Sequence, residues 1–270
     1  LVVVVALFST IFVLVSGGQG EAADKKTVYW IGKTLNNPWW IMVKDIAVRE
    51  AAELGVDIIT NLPEEEVDLE KQVTMIEAAI EKKVDAIVIS AISSQGVIPA
   101  LEKAKEAGII IINFDTRIAD PTIAKAFVGA DDVAGAYKAG KYICEKLGGK
   151  GEVALLEGLL AQSTGVDRKA GFLKAIEEYP DIKLVATAPA EWRSDKALDG
   201  TINMLTAHPE IDGIFACNDQ MAVGMVNGVY AAGKDPKDLI LVGYDGILDA
   251  AKLVLDGDLD AFVALPTREE

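Results

Sequence analysis

Histidine is almost absent from this chain: one, His208, among 270 residues. It stands in "TAHPE" at a helix end, where a surface or capping role is expected rather than catalysis. Only two cysteines occur, Cys144 and Cys217. They have neither CxxC nor zinc spacing, and each lies in an apolar stretch, so buried free thiols are the expectation. Basic residues are few: 26 Lys and Arg against 42 Asp and Glu, a formal net charge of -16. That balance argues against a nucleic-acid partner, since a phosphate backbone requires a basic face. It suits a handler of neutral or cationic small molecules. GxxxxGK[ST] and GxGxxG are missing ("GMVNG" does not qualify), which excludes the usual phosphate and dinucleotide cradles. No acidic cluster has metal spacing, and the adjacent Asp131 and Asp132 read as a helix start. The expectation is therefore no catalytic residue, no metal and no cofactor.

Long hydrophobic runs are also scarce, apart from one at the beginning. "LVVVVALFSTIFVLVSGG" is apolar and then turns small and polar, as the core and tail of a secretory signal do. It is short for a membrane span of about 20 residues. Residues 1–23 are read as a signal peptide truncated at its start, with cleavage after Gly20 or Ala23. An uncleaved anchor helix is the alternative. In both cases the folded part is exported, and the periplasm is the expected location.

From Thr27 onward short apolar runs alternate with amphipathic stretches of helical length. The runs are "TVYWIG", "VDIIT", "DAIVIS", "IIIINF", "KAFVGA", "EVALLEG", "IKLVATA", "GIFACN", "LILVGYD" and "DAFVAL". Most are unbroken rather than alternating, as in strands covered on both faces. Between them lie helical patterns such as "VDLEKQVTMIEAAIEKK", with Leu69, Val73, Ile76 and Ile80 on one face. The block "PEEEVDLE" reads as a solvated helix start, with acids at the positive end of the dipole. The alternation predicts βαβ units with helices on both sheet faces. A turn-rich seam, "RIADPTIAKAFVGADDVAG", divides the series. The expected fold is α/β: two doubly wound parallel-sheet lobes. Residues 24–128 with 262–270 would form the first lobe and 129–261 the second. The chain stops just after its last strand, and the C-terminus is read as truncated.

In open α/β sheets ligands bind beyond the carboxyl ends of strands. There the sequence places Asn37, Trp39 and Trp40; Asp115 and Thr116; Asp167 and Arg168; Trp192; Asn218 and Asp219; and Asp245. Carboxylates accept hydrogen bonds, a guanidinium donates them in a fork, and amides do both. Indoles offer flat apolar area against the C–H faces of a sugar ring. The set suits a polyhydroxylated ring and lacks a nucleophile–base pair. Bland readings compete: Trp30, within a strand, reads as core, and Asp219 reads as the cap of the next helix.

These residues resemble the periplasmic sugar-binding proteins of ABC transporters, the type I group, on the ribose-binding branch. The match runs from Thr27 to Ala264. It rests on "TLNNPWW", "INFDT", "LLEG", "STGVDRKAGF", "PAEW", "NMLTAHPEIDGIFACNDQMAVG" and "LVGYDG", in that order. The resemblance implies two lobes joined by a multi-strand hinge, closing on a sugar. It implies ligand contacts from Asn37, Trp39, Trp40 and Asp115 in the first lobe. From the second it implies Arg168, Trp192, Asn218 and Asp245, with Tyr244 alongside. The ribose pattern is not matched throughout, and Leu265 stands in place of its hinge-region Gln. Thr116 stands where Arg is usual, Lys33 replaces a small polar residue, and the aromatics are Trp rather than Phe. Lys33 and Thr116 therefore join the candidate contacts, and the ligand is a ribose-like pentose, a hexose or a polyol. The implied partners are a membrane ABC permease and, in some members, a chemoreceptor, with the protein itself a monomer. Rivals are the ligand-binding core of a lactose-repressor-type regulator, which would need a DNA-binding headpiece in place of residues 1–26, and a binder of a non-sugar signal such as an autoinducer.

Overall fold

The computed structural model describes residues 25–265. The expected signal peptide, 1–23, and the end of the chain beyond Leu265 lie outside the described residues. The described residues divide into two compact units. One runs to Gly129 and takes in Ala161–Ser163; the other comprises Ala130–Leu160 and Thr164–Leu265.

The first unit is a parallel sheet ordered β2-β1-β3-β4-β5. Its strands are β1 (Thr27–Ile31), β2 (Asp57–Asn61), β3 (Ala86–Ile89), β4 (Ile110–Phe114) and β5 (Ala126–Val128). The three central strands are almost wholly buried, whereas β2 and β5 at the edges are half-exposed. This explains why the central runs are unbroken in the sequence: both faces are covered by helices. The helices are α1 (Pro38–Glu53), α2 (Leu69–Glu81) and α3 (Ile98–Glu106). α1 begins with Asn37 as cap, its side chain accepting from the Trp39 N–H, and with Pro38 in the first turn. Pro is tolerated there because that N–H has no helical partner and its φ is already helical. On α2 the buried face is Gln72, Met75, Ile76 and Ala79, flanked by the partly buried Leu69, Val73 and Ile80. Gln72 is the unexpected member. Its amide donates to the carbonyls of Gly32 and Ser90 and accepts from the Ile92 N–H, so it ties together the carboxyl ends of β1 and β3.

The second unit is a parallel sheet ordered β10-β9-β8-β6-β7. Its strands are β6 (Lys150–Glu157), β7 (Asp181–Pro189), β8 (Ile211–Ala216), β9 (Ile240–Asp245) and β10 (Ala261–Ala264). Numbered within the unit, this is the same order as the first: second, first, third, fourth, fifth. Its helices are α4 (Asp132–Lys146), α5 (Ser163–Ile176), α6 (Ser194–Ala207), α7 (Asp219–Ala231) and α8 (Leu248–Asp256). Phe172 of α5 stacks on Phe215 of β8 at 5.3 Å in the core. His208 ends α6 as its C-cap. Both cysteines are free and buried, as expected, and burial pushes Cys144 up to about 11 and Cys217 up to about 12.

One boundary differs from the expectation. Residues 262–265 fall in the second unit rather than the first, because β10 pairs in parallel with β9, Phe262 opposite Gly243 and Ala264 opposite Asp245. Among the described residues, no helix is long and apolar enough to cross a membrane.

Candidate functional site

In the first unit, the polar groups gather where β1, β3 and β4 end. Lys33, just past β1, is 2% exposed. Its ammonium lies 2.8 Å from Gln162 Oε1, 3.1 Å from Asp115 Oδ2 and 3.5 Å from Glu66 Oε1. It also sits over the Trp40 ring, 5.2 Å from the centroid. Asp115 Oδ2 further accepts from Ser90 Oγ at 2.9 Å and Thr116 Oγ1 at 3.0 Å. The backbone at Asp115 has φ 56°, a left-handed conformation that costs a non-glycine residue on the order of 1–3 kcal/mol and persists only where its surroundings fix it. Here the fixing groups are identifiable. Asn113 donates to the Thr116 carbonyl and accepts from the Ile118 N–H, so it holds the turn from inside. Burial raises the Glu66 carboxyl above its ordinary value; Lys33 opposes the shift and Asp115 adds to it.

The tryptophans form a cluster on the same unit. Trp39 and Trp40 meet edge to face at 4.7 Å, and Trp40 packs against Phe114 at 5.9 Å. Trp30, buried in β1 as expected of a core residue, contacts Phe114 at 5.4 Å. The Trp39 indole N–H is buried and has no hydrogen-bond acceptor among the described residues. Asn37 is buried too, its side-chain oxygen accepting from the Trp39 N–H at the helix cap.

In the second unit the organising group is Arg168, on α5 and 4% exposed. Its Nε donates to Asp132 Oδ1 at 2.9 Å; its Nη1 donates to Asp245 Oδ1 at 2.9 Å and to the Cys217 carbonyl at 2.7 Å. The guanidinium lies over the Tyr244 ring at 3.9 Å and over Trp192 at 5.5 Å. Stacking of a planar cation between aromatic faces is a role that Arg fills and Lys does not. Tyr244 is fully buried beneath it, and that burial pushes its hydroxyl pKa up, against the pull of Arg168. Two glycines make room for these rings. A Cβ at Gly158 would stand 2.1 Å from Trp192 Cη2, and one at Gly135 would stand 2.3 Å from the Tyr244 hydroxyl. Positive φ recurs here at Glu191 (51°), Trp192 (65°) and Asp245 (125°).

Asn218 caps α7, its Oδ1 accepting from the Met221 N–H at 2.8 Å. Asp219 is therefore not the cap that the sequence suggested. It is buried and accepts from the backbone N–H groups of Gly246 and Ile247, bracing the turn after Asp245. Desolvation lifts its carboxyl to about 6, although those N–H groups pull the other way.

Within the first unit, then, Lys33, Trp40, Asp115 and Thr116 come together, with Asn37 and Trp39 at the head of the neighbouring helix. Within the second, Arg168, Trp192, Tyr244 and Asp245 form one cluster, with Asn218 following the carbonyl that Arg168 binds. Asp132, Glu66 and Gln162 were not anticipated. Asp132 was read as part of a helix start, which it is, but its side chain turns inward to Arg168. Among the described residues no group of three His, Cys, Asp or Glu side chains is placed to hold a metal.

Comparison with known proteins shows the family. Residues 28–270 match the family model described as a periplasmic binding protein domain. The chain is 37% identical to the D-allose-binding periplasmic protein of Escherichia coli over 239 residues, 86% of this chain and 76% of that protein. It is 32% identical to the ribose import binding protein RbsB of the same organism over 268 residues, 98% of this chain and 85% of that one. Among solved structures, an ABC transporter periplasmic solute binding protein from Actinobacillus succinogenes with bound D-allose superposes with a TM-score of 0.79 at 40% identity, covering 87% of this chain and 83% of that one.

Proposed function

We propose, for a chain that belongs to the periplasmic binding protein family, that it captures one uncharged monosaccharide outside the cytoplasmic membrane and passes it to an ABC permease, without chemical change to the sugar. The relatives bind D-allose and ribose, so an aldohexose or aldopentose of that stereochemical kind is the expected ligand. The observation that carries the reading is the composition of the two strand-end clusters. Each presents an aspartate locked in an unusual backbone conformation, a buried cation that orients it, and indole surface beside it.

The physical account is as follows. Sugar hydroxyls donate to Asp115 and Asp245, and the amides of Asn37 and Asn218 donate in return. Trp39, Trp40 and Trp192 cover the ring's C–H faces. Hydrogen bonds to charged groups contribute about 1.5–3 kcal/mol each. A few of these plus stacking reach the roughly −8 kcal/mol of a micromolar site after ordering costs. Because the aspartates and cations are held before the ligand arrives, little of that energy is spent on ordering the protein. A ligand that binds one state of the protein better than another shifts the population toward that state, and this differential affinity is the signal a permease can read. The protein acts as a monomer.

Isothermal titration calorimetry against D-allose, D-ribose, L-arabinose and myo-inositol, with amino acids as controls, tests the proposal. At least one sugar should bind at micromolar affinity or tighter and change the tryptophan fluorescence. Silence across all the sugars would overturn it.

A further inference from the structure

Lys33 stands at a position expected to touch the ligand, yet its surroundings give it different work. An ammonium has three N–H donors. Here it faces three acceptors, Gln162 Oε1, Asp115 Oδ2 and Glu66 Oε1, all from the same unit, and its side chain is 3% exposed. Gln162 belongs to the short segment Ala161–Ser163 that packs with the first unit. That segment is anchored by the Ser94 N–H donating to the Ala161 carbonyl, and by Ser163, whose N–H donates to Ser94 Oγ and whose Oγ accepts from the Arg117 N–H. Glu66 arrives from the loop before α2, with 11% of its side chain accessible. Two groups distant in sequence thus converge on one ammonium that also pairs with Asp115 and lies over the Trp40 ring.

We propose that Glu66 and Gln162 are positioning residues for ligand binding: they seat Lys33 against Asp115, so that this carboxylate keeps one orientation toward a sugar hydroxyl. The inference rests on the sugar-binding reading and adds residues to it. Without Glu66 the ammonium loses one of its three oxygen acceptors. Without Gln162 it loses its shortest hydrogen bond. In both cases Lys33 re-centres, and its contact with Asp115, at a position of backbone strain, is no longer held in one geometry. The charged groups that face Glu66 are Lys33 and Asp115, with the neutral Gln162 beside them. Burial favours the neutral form of Glu66, so an uncharged acceptor at this position should serve nearly as well as a carboxylate.

The test is calorimetric titration of D-allose and D-ribose into wild type, Glu66→Gln, Glu66→Ala and Gln162→Ala, alone and in an Asp115→Asn background, with circular-dichroism melts to confirm folding. For a sugar that wild type binds, Glu66→Ala and Gln162→Ala should each weaken binding about tenfold or more, equivalent to about 1.4 kcal/mol. Glu66→Gln should stay within about threefold of wild type, and neither alanine variant should weaken the Asp115→Asn protein further, because the coupling runs through that carboxylate. Unchanged affinity in folded Glu66→Ala and Gln162→Ala overturns the inference, and so does a loss that simply adds to that of Asp115→Asn. If wild type binds neither sugar, the failure lies with the sugar-binding reading on which the inference rests.

Discussion

The two units share one strand order and place an aspartate at the end of the equivalent fourth strand, Asp115 after β4 and Asp245 at the end of β9. Both aspartates have positive φ, and both accept from a buried cation. The cations differ. Lys33 is a point charge shared between two carboxylates and an amide, beside one indole. Arg168 is a planar group that reaches two carboxylates and a carbonyl while stacked on Tyr244 and near Trp192. The same fold position is served by adaptable geometry in one unit and rigid geometry in the other. The strand order fixes where the strand-end carboxylate goes. What orients it is set by side chains arriving from loops and helices.

The largest difference should appear when the cations are removed. Arg168→Met leaves Asp132 and Asp245 as buried carboxylates without their partner and should cost about 3–5 kcal/mol in urea denaturation. Lys33→Met should cost less, because burial already biases Glu66 toward its neutral form and one carboxylate can discharge by taking a proton. Equal losses would show that the two clusters are not distinguished in this way.

A second comparison concerns pH. Asp219 has a folded-state pKa of about 6 against an ordinary 3.8. The folded protein therefore holds this proton more tightly than the unfolded chain. Stability from this group is full below about pH 4, falls as pH rises through about 6, and stays lost above, an effect of order 2–3 kcal/mol. Melting temperatures of wild type should decline over that interval relative to Asp219→Asn, whose profile should be flatter there. Parallel profiles would contradict the assignment.

The smallest expected effect is steric. Gly158→Ala places a methyl against the Trp192 ring and should cost about 1–3 kcal/mol by calorimetric melting. The loss should be confined to the second unit, leaving the Trp39 and Trp40 environment unchanged in near-UV circular dichroism.

Much of this was legible in the sequence. The ten apolar runs became the ten strands of the described residues, and Asp115, Asn218 and Asp245, singled out from strand ends alone, do lie at or just past the ends of β4, β8 and β9. The seam near Asp131 also fell close to the division between units. Other features were not legible, for definite reasons. "PEEEVDLE" carries the signature of a solvated helix start, which Asp68 fulfils as the α2 cap, and nothing in that string marks Glu66 as the acid that reaches Lys33. Gln162 and Gln72 are polar residues whose burial depends on loops brought close by folding. Asp219 follows an asparagine that is equally able to cap a helix, and which of the two does so is decided by the turn after Asp245. The β10 boundary was misplaced because a short edge strand carries no local sign of which sheet it joins.

The proposal stands on the Asp115 cluster and the Asp245 cluster each being needed for sugar binding. Calorimetric stoichiometry with the tightest-binding sugar, for wild type, Asp115→Ala and Asp245→Ala, tests it most directly. The account predicts one sugar per chain in wild type and loss of binding in each variant separately. Either variant retaining binding at wild-type affinity would contradict it.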